Sequence, residues 1–204
     1  MTSIPPRYLI KNARLINEGQ IIEGDILLEN GRIEQIDRTL TPKDVHVQVI
    51  DAAGCYVLPG VIDSQVHFRE PGLTYKGDIA SESRAAIAGG VTSYVEQPNT
   101  VPQATTVEEL EKKYTRAAAV SWANYSFNMG ATNDNLEELK KISKRDVAGI
   151  KIFMGSSTGN MLVDNPETLE RIFREVDHQL IAHCEDEATI QGNLERFIAE
   201  KGRE

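Results

Sequence analysis

The sequence predicts an α/β protein in which a small N-terminal β-module precedes a partial TIM-type (β/α)8 barrel of about five βα units. The first observation is that short apolar runs alternate with helical stretches after residue 57. Repeated βα units with short connections build a parallel sheet with right-handed crossovers. The second observation is length, because a complete barrel takes about 250 residues and this chain has 204 in total. We therefore expect an N-terminal fragment that stops after the fifth unit.

The N-terminal module is predicted to consist of strands. Residues 25–29 and 33–36 flank Asn30-Gly31, which is a strong hairpin signal because both turn positions need positive φ angles. Further short strands are predicted from apolar or alternating runs at residues 8–10, 15–16 and 45–50. The sequence thus predicts a first domain over residues 1–56, part of a small β-sandwich, and the first part of a barrel over residues 57–204.

The second domain is predicted to contain five strands, each followed by a helix. The strands are expected at residues 57–62, 91–96, 123–129, 149–153 and 180–182. The helices are expected at residues 76–88, 106–120, 133–144, 167–176 and 185–200, and their starts carry capping side chains at Thr106, Asn133 and Asn165. A Rossmann-type sheet is the alternative, but no glycine-rich phosphate loop follows any of these strands.

Composition limits the classes of partner and compartment. The net charge of −9 and the pI near 5.0 argue against binding to nucleic acid or to an anionic membrane surface. No apolar run approaches the ~20 residues that span a bilayer, and the first six residues lack the features of a signal peptide. Cys55 and Cys184 lie far apart in the sequence. We therefore expect a cytoplasmic protein with reduced thiols.

Polar side chains that are suited to chemistry follow the first barrel strand. Alternation along an extended chain places Asp63, Gln65, His67 and Arg69 on one face. His67 is a candidate metal ligand that Asp63 would orient, or it is a histidine satisfied by a neighbouring carboxylate. Arg69 is a candidate clamp for a substrate carboxylate, or it forms a salt bridge with Glu70 or another acid.

Two more candidates end later strands. Lys151 lies between isoleucines in a short apolar strand, where desolvation lowers the pKa of an amine. A neutral amine can react with carbon dioxide, and the resulting carbamate can bridge two metal ions; alternatively, Lys151 extends to the rim of the barrel. His183 ends the fifth strand.

The segment at residues 58–72 resembles the first-strand signature of cyclic amidohydrolases, and its Arg-Glu-Pro-Gly at 69–72 is similar to dihydroorotases. The family pattern is Asp-x-His-x-His, and Gln65 stands in place of its first histidine. Residues 97–102 resemble the Pro-Asn-Thr-x-Pro segment of the family. The resemblance implies one or two zinc ions, with metal ligands His67, Lys151 (carbamylated and catalytic) and His183. It also implies that Arg69 and Asn99 bind the substrate carboxylate, and that residues 155–162 form the rim of the site.

The resemblance implies reversible hydrolysis of dihydroorotate to N-carbamoyl-L-aspartate in pyrimidine synthesis, by a homo-oligomer. The sixth-strand histidine and the eighth-strand aspartate of the family would lie beyond Glu204, so this chain alone is expected to be a poor catalyst. One alternative is another cyclic amidase, a hydantoinase or an allantoinase. The other is a non-catalytic pseudo-dihydroorotase that serves as a scaffold for aspartate transcarbamoylase, which the loss of a histidine at Gln65 favours.

Overall fold

The computed structural model describes residues 7–42, 46–155 and 159–203. It divides into two compact units, Met1–Gly60 and Val61–Glu204. In the described parts of the chain, no helix is long and apolar enough to cross a membrane.

The first unit contains one five-stranded sheet. Its strands are β1 (Arg7–Asn17), β2 (Gln20–Glu29), β3 (Arg32–Asp37), β4 (Val47–Asp51) and β5 (Tyr56–Val57). The order is β3-β2-β1-β4, with β5 also paired to β1; β2 is antiparallel to its two neighbours, and β4 and β5 run parallel to β1. Asn30 and Gly31 have φ angles of 54° and 71°, so the hairpin predicted between β2 and β3 is confirmed.

The first unit also differs from the prediction at β1. The two short runs expected there form one continuous strand, whose register with β2 shifts between Ile10 and Ala13. Asn12 has a φ of 60° at this shift, and its backbone N–H donates to Asp25 over 2.9 Å. A polar side chain buried beside a small apolar core therefore holds the irregularity in place.

The second unit contains a parallel five-stranded sheet in the order β10-β9-β8-β7-β6. Its strands are β6 (Val61–Val66), β7 (Val91–Glu96), β8 (Asn124–Gly130), β9 (Gly149–Phe153) and β10 (Leu180–His183). The helices that follow them are α1 (Ile79–Ala88), α2 (Val107–Val120), α3 (Leu136–Leu139), α4 (Pro166–Glu175) and α5 (Glu187–Lys201). The five predicted βα units are confirmed.

Capping explains why most helices begin where they were expected. The Thr106 side chain accepts the Glu109 N–H at the start of α2, and the Asn165 side chain accepts two N–H groups at the start of α4. Helix α2 buries Leu110, Lys113 and Ala117, a spacing that places one stripe of its surface against the sheet.

Two predicted elements were wrong. The strand expected at residues 57–62 is divided, since Tyr56–Val57 pairs with β1 while Val61 and Ile62 begin β6 at the edge of the other sheet. These two residues are 55% and 69% exposed, so β6 is not the buried strand that its apolar sequence suggests. The long helix expected from Asn133 is a single turn, because the Asn133 side chain bonds to Asp164 and residue 165 instead of capping.

Candidate functional site

The candidate site lies on one face of the second sheet. Met129 and Ile150 pair across β8 and β9 and belong to the hydrophobic core. Because neighbouring side chains on a strand point to opposite faces, Lys151 lies on the other face, which we call the inner face. Ile181 of β10 pairs with Lys151, and alternation therefore places His183 on the inner face as well.

Lys151 is buried and has no hydrogen-bonded or charged partner in the described parts of the chain. The residue is only 4% exposed, and its Nζ lies 5.2 Å from the centre of the Phe153 ring. Burial lowers the pKa of the Lys151 ammonium, and a nearby Cys184 opposes this only in part. This lowering increases the fraction of neutral amine, which is the form that can react with carbon dioxide.

His67 is held by Asn99 rather than by Asp63. The Nδ1 atom of His67 lies 2.9 Å from the Oδ1 atom of Asn99, and a carbonyl oxygen can only accept. Nδ1 must then carry the proton, which leaves the lone pair of Nε2 available for a metal. The predicted orienting role of Asp63 is wrong, because its carboxylate accepts the Gln65 backbone N–H over 3.0 Å.

Electrostatics keep His67 in the form that can bind a metal. Burial lowers the pKa of the His67 ring, and the positive charge of Arg69 lowers it further. A protonated Lys151 would act in the same direction, and the hydrogen bond to Asn99 acts in the opposite one. The neutral ring, which can bind a metal, is therefore favoured relative to a free histidine.

Arg69 is half-buried and forms no ion pair with any described residue. Its predicted alternative partner Glu70 instead binds the side chain of Arg116 at 2.7 Å and the Ile79 N–H at 2.9 Å. The salt bridge with Glu70 was therefore a wrong alternative. Arg69 has a φ of 70°, so strand alternation ends before it and cannot assign its side chain to a face.

His183 is engaged by the side chain of Glu185. Its Nε2 lies 3.3 Å from Glu185, and its side chain is 44% exposed. The side chain that accepts an N–H at the start of α5 is that of Asp186. A metal at Nε2 would therefore displace Glu185.

The residue types present fit a metal only if Lys151 contributes. Among the described residues, no group of three or more His, Cys, Asp or Glu side chains is placed to hold a metal ion. His67 offers Nε2, Gln65 is a poor ligand for zinc, and a carbamate on the buried Lys151 would add oxygen donors. Residues 156–158 of the predicted rim lie outside the described residues.

Sequence reasoning missed four buried polar residues near the ends of β7 and β8. Glu96 and Lys113 form an ion pair, while the side-chain amides of Gln97 and Asn128 have no hydrogen-bond partner in the described parts of the chain. The signal for Glu96 and Gln97 was a polar pair that follows an apolar strand directly. Lys113 carried no signal, because it resembles any other lysine of a charged helix.

Comparison with known proteins identifies the family. A family model described as dihydro-orotase-like matches residues 54–197. The chain belongs to this family. It is 37% identical over 186 residues to a dihydroorotase of Methanosarcina acetivorans, a match that covers 89% of the chain and 39% of that relative.

Hydantoinases are also similar to the chain. An L-hydantoinase of Paenarthrobacter aurescens is 30% identical over 202 residues, which is 96% of this chain and 44% of the relative. The solved structure of an L-hydantoinase (dihydropyrimidinase) from Arthrobacter aurescens has a TM-score of 0.87 at 29% identity and covers 97% of this chain and 45% of that one. The predicted fold class, a β-module followed by part of a TIM-type barrel, is thereby confirmed. The chain spans less than half the length of these relatives.

Proposed function

We propose that the protein carrying this chain is a dihydroorotase, which opens dihydroorotate to N-carbamoyl-L-aspartate, and closes it again, in cytoplasmic pyrimidine synthesis. The family match and the identity to the Methanosarcina acetivorans enzyme support this assignment. The observation that carries it is Arg69, a cation without an ion-pair partner in the described residues, whose charge acts on His67. Dihydroorotate has a carboxylate that needs such a cation.

The metal would be held by His67, Lys151 and His183, as one or two zinc ions. When bound, zinc supplies a Lewis acid for the ring carbonyl and lowers the pKa of water toward neutrality. Lys151 prepares the site, because the lone pair of its neutral Nζ bonds to the carbon of carbon dioxide and the displaced proton leaves to solvent. His67 presents Nε2 because Asn99 accepts from Nδ1.

Arg69 and Asn99 would bind the substrate carboxylate. The guanidinium of Arg69 can donate two parallel hydrogen bonds to it. Asn99 uses Oδ1 for His67, and its Nδ2 has no partner among the described residues, so two N–H groups remain for an anion. One asparagine can therefore orient a metal ligand and contact the substrate.

Hydantoinase activity is the second candidate, and the structural similarity to the Arthrobacter aurescens enzyme favours it. We also propose that the complete protein is a homo-oligomer. The alternative role is that of a non-catalytic scaffold that binds aspartate transcarbamoylase, and this role would require no metal.

The deciding experiment uses three substrates: dihydroorotate, dihydrouracil, which differs from it only in lacking the carboxylate, and hydantoin. The full protein that carries this sequence, loaded with zinc, should hydrolyse dihydroorotate with the higher kcat/KM. A higher kcat/KM for dihydrouracil or for hydantoin would assign the protein to the hydantoinases. Absence of bound zinc and of turnover on all three, in a folded protein, would favour the scaffold role.

A further inference from the structure

A buried ion pair joins helix α2 to the end of strand β7. The Nζ atom of Lys113 lies 3.0 Å from Glu96, and the two side chains are 1% and 0% exposed. Removing two charges from water is costly. Replacing such a pair by apolar side chains often leaves a protein equally stable or more stable, so stability alone does not explain why this pair is here.

The lysine of the pair also binds backbone that leads into the candidate site. The ammonium of Lys113 donates to the carbonyl oxygen of Gln97 over 3.2 Å. Two residues after Gln97, the side chain of Asn99 contacts His67. The pair is therefore connected to the segment that holds His67.

The segment between the pair and the site is well defined, so a displacement at Gln97 would be transmitted. The carbonyl oxygen of Pro98 accepts the N–H groups of Thr100 and Ala104 over 2.9 and 3.0 Å. The N–H of Gln97 donates to the carbonyl oxygen of Val66, the residue before His67. Asn99 and His67 thus extend from two adjacent strand ends, and their 2.9 Å contact depends on the register of those ends.

A second contact from the same helix fixes the loop after Arg69. Arg116 lies one turn beyond Lys113 on α2 and binds Glu70 at 2.7 Å. Glu70 in turn accepts the N–H of Ile79 at the start of α1. Helix α2 therefore holds the chain directly after Arg69, whose φ of 70° is unusual for a residue other than glycine.

We propose that Lys113 and Glu96 are positioning residues, which act through Gln97 and Asn99 to fix the His67 ring. That His67 binds a metal rests on the function proposed above. The tautomer of the His67 ring does not rest on that function, because the proton on Nδ1 follows from the contact with Asn99 alone.

The test separates stability from positioning with a double variant of the full chain. Glu96→Met with Lys113→Met replaces the pair by apolar side chains of similar volume, so the fold is expected to be retained. It also removes the donor to the Gln97 oxygen. Lys112→Met is the matched control, since Lys112 precedes Lys113 on α2 and its ion pairs with Glu108 and Glu109 are at the surface.

Two readouts are measured on each 15N-labelled protein: the tautomer of the His67 ring by nitrogen chemical shifts, assigned with His67→Gln, and the affinity for Zn²⁺ alone. In the parent chain and in Lys112→Met, His67 should carry its proton on Nδ1. In the double variant the ring should become a mixture of tautomers, and zinc affinity should fall about 10- to 100-fold, as for other residues that orient metal ligands.

A folded double variant with an unchanged His67 tautomer would overturn the proposal, because the pair would then be purely structural. The single variant Lys113→Met is measured as well. If it loses both stability and the parent tautomer, and the double variant regains both, the pair is again purely structural and the proposal is overturned. If the parent chain binds no zinc while its tautomer still shifts in the double variant, the positioning role stands and the proposed metal function fails.

Discussion

Replacing Arg69 with methionine tests the proposed carboxylate clamp most directly. The change removes the charge and keeps an unbranched side chain that can fill the same space. Arg69 is half-buried and has no ion-pair partner among the described residues, so the variant leaves no protein carboxylate unpaired. The predicted effect is therefore on the substrate and not on the fold.

The size of the effect follows from burial and charge. Cutting away one partner of a buried, hydrogen-bonded charge pair costs about 2–5 kcal/mol. Because Arg69 is partly exposed and water screens it, we expect the lower part of this range, about 2–3 kcal/mol. At about 1.4 kcal/mol per factor of ten, kcat/KM for dihydroorotate should fall by about 30- to 150-fold.

The assay compares steady-state hydrolysis of dihydroorotate and dihydrouracil by the full protein, with metal content measured on the same samples. Dihydrouracil lacks the carboxylate, so its kcat/KM should change little in Arg69→Met. Arg84→Met is the control. Arg84 is an exposed arginine on helix α1, and its guanidinium stacks on the ring of Trp122. Unchanged dihydroorotate kinetics, or metal lost together with activity, would refute the clamp.

Three further predictions concern single side chains. Lys151→Ala should abolish activity of the full protein, and short carboxylic acids should restore part of it by replacing the carbamate oxygens; activity equal to the parent would make Lys151 a rim residue. Asp25→Asn should lower the free energy of unfolding in urea by about 1.5–3 kcal/mol, the value of hydrogen bonds to a charged group, because Asp25 accepts two backbone N–H groups. Those bonds, the Leu40 N–H first, lower the pKa of Asp25, so its contribution is present above the ordinary carboxyl pKa and should disappear as the pH falls through the lowered value. Asn128→Leu should raise the free energy of unfolding by about 1–3 kcal/mol, since it removes an unpaired buried amide; a decrease would show that the amide is bonded to water.

The fold was predictable from sequence wherever the deciding interactions are local. The capping side chains of Thr106 and Asn165 lie within three residues of the N–H groups they accept, and the positive φ angles of Asn30 and Gly31 follow from a two-residue turn. The predicted length of the third helix was wrong, and the reason is again a local interaction. Ser143 and Asp146 bond to each other's backbone in a turn, which competes with continued helix after Lys140.

The burial of strand β6 was not predictable from its own residues. An apolar run predicts a strand but not the neighbours that cover it. β6 lies at the edge of the sheet, and Ile62 remains 69% exposed. We also expect the chain alone to associate or to bind apolar dyes, because its last strand, β10, lies at the other edge of the same sheet.

The candidate site shows the same division between local and distant information. Position near a strand end is a local property, and it made His67 and His183 candidates, whereas Lys151 lies in the middle of β9 rather than at its end. The roles of these residues stay predictions. The partner of each side chain is not local, since Asn99 lies 32 residues after His67 and Arg116 lies 46 residues after Glu70. Without those distances, the sequence assigned Asp63 to orient His67, although an asparagine from the next strand end does so.

The contact between Asn99 and His67 raises the question of whether Asn99 can also bind the substrate. The family resemblance gives Asn99 to the substrate, and the structure shows its oxygen bound to His67. These roles are compatible because a carboxamide has an acceptor at one atom and two donors at another. An aspartate at this position could orient His67, but it would repel the carboxylate of dihydroorotate. The two roles proposed for Asn99 require a neutral residue that can accept from a histidine and donate to an anion, and a carboxamide meets that requirement.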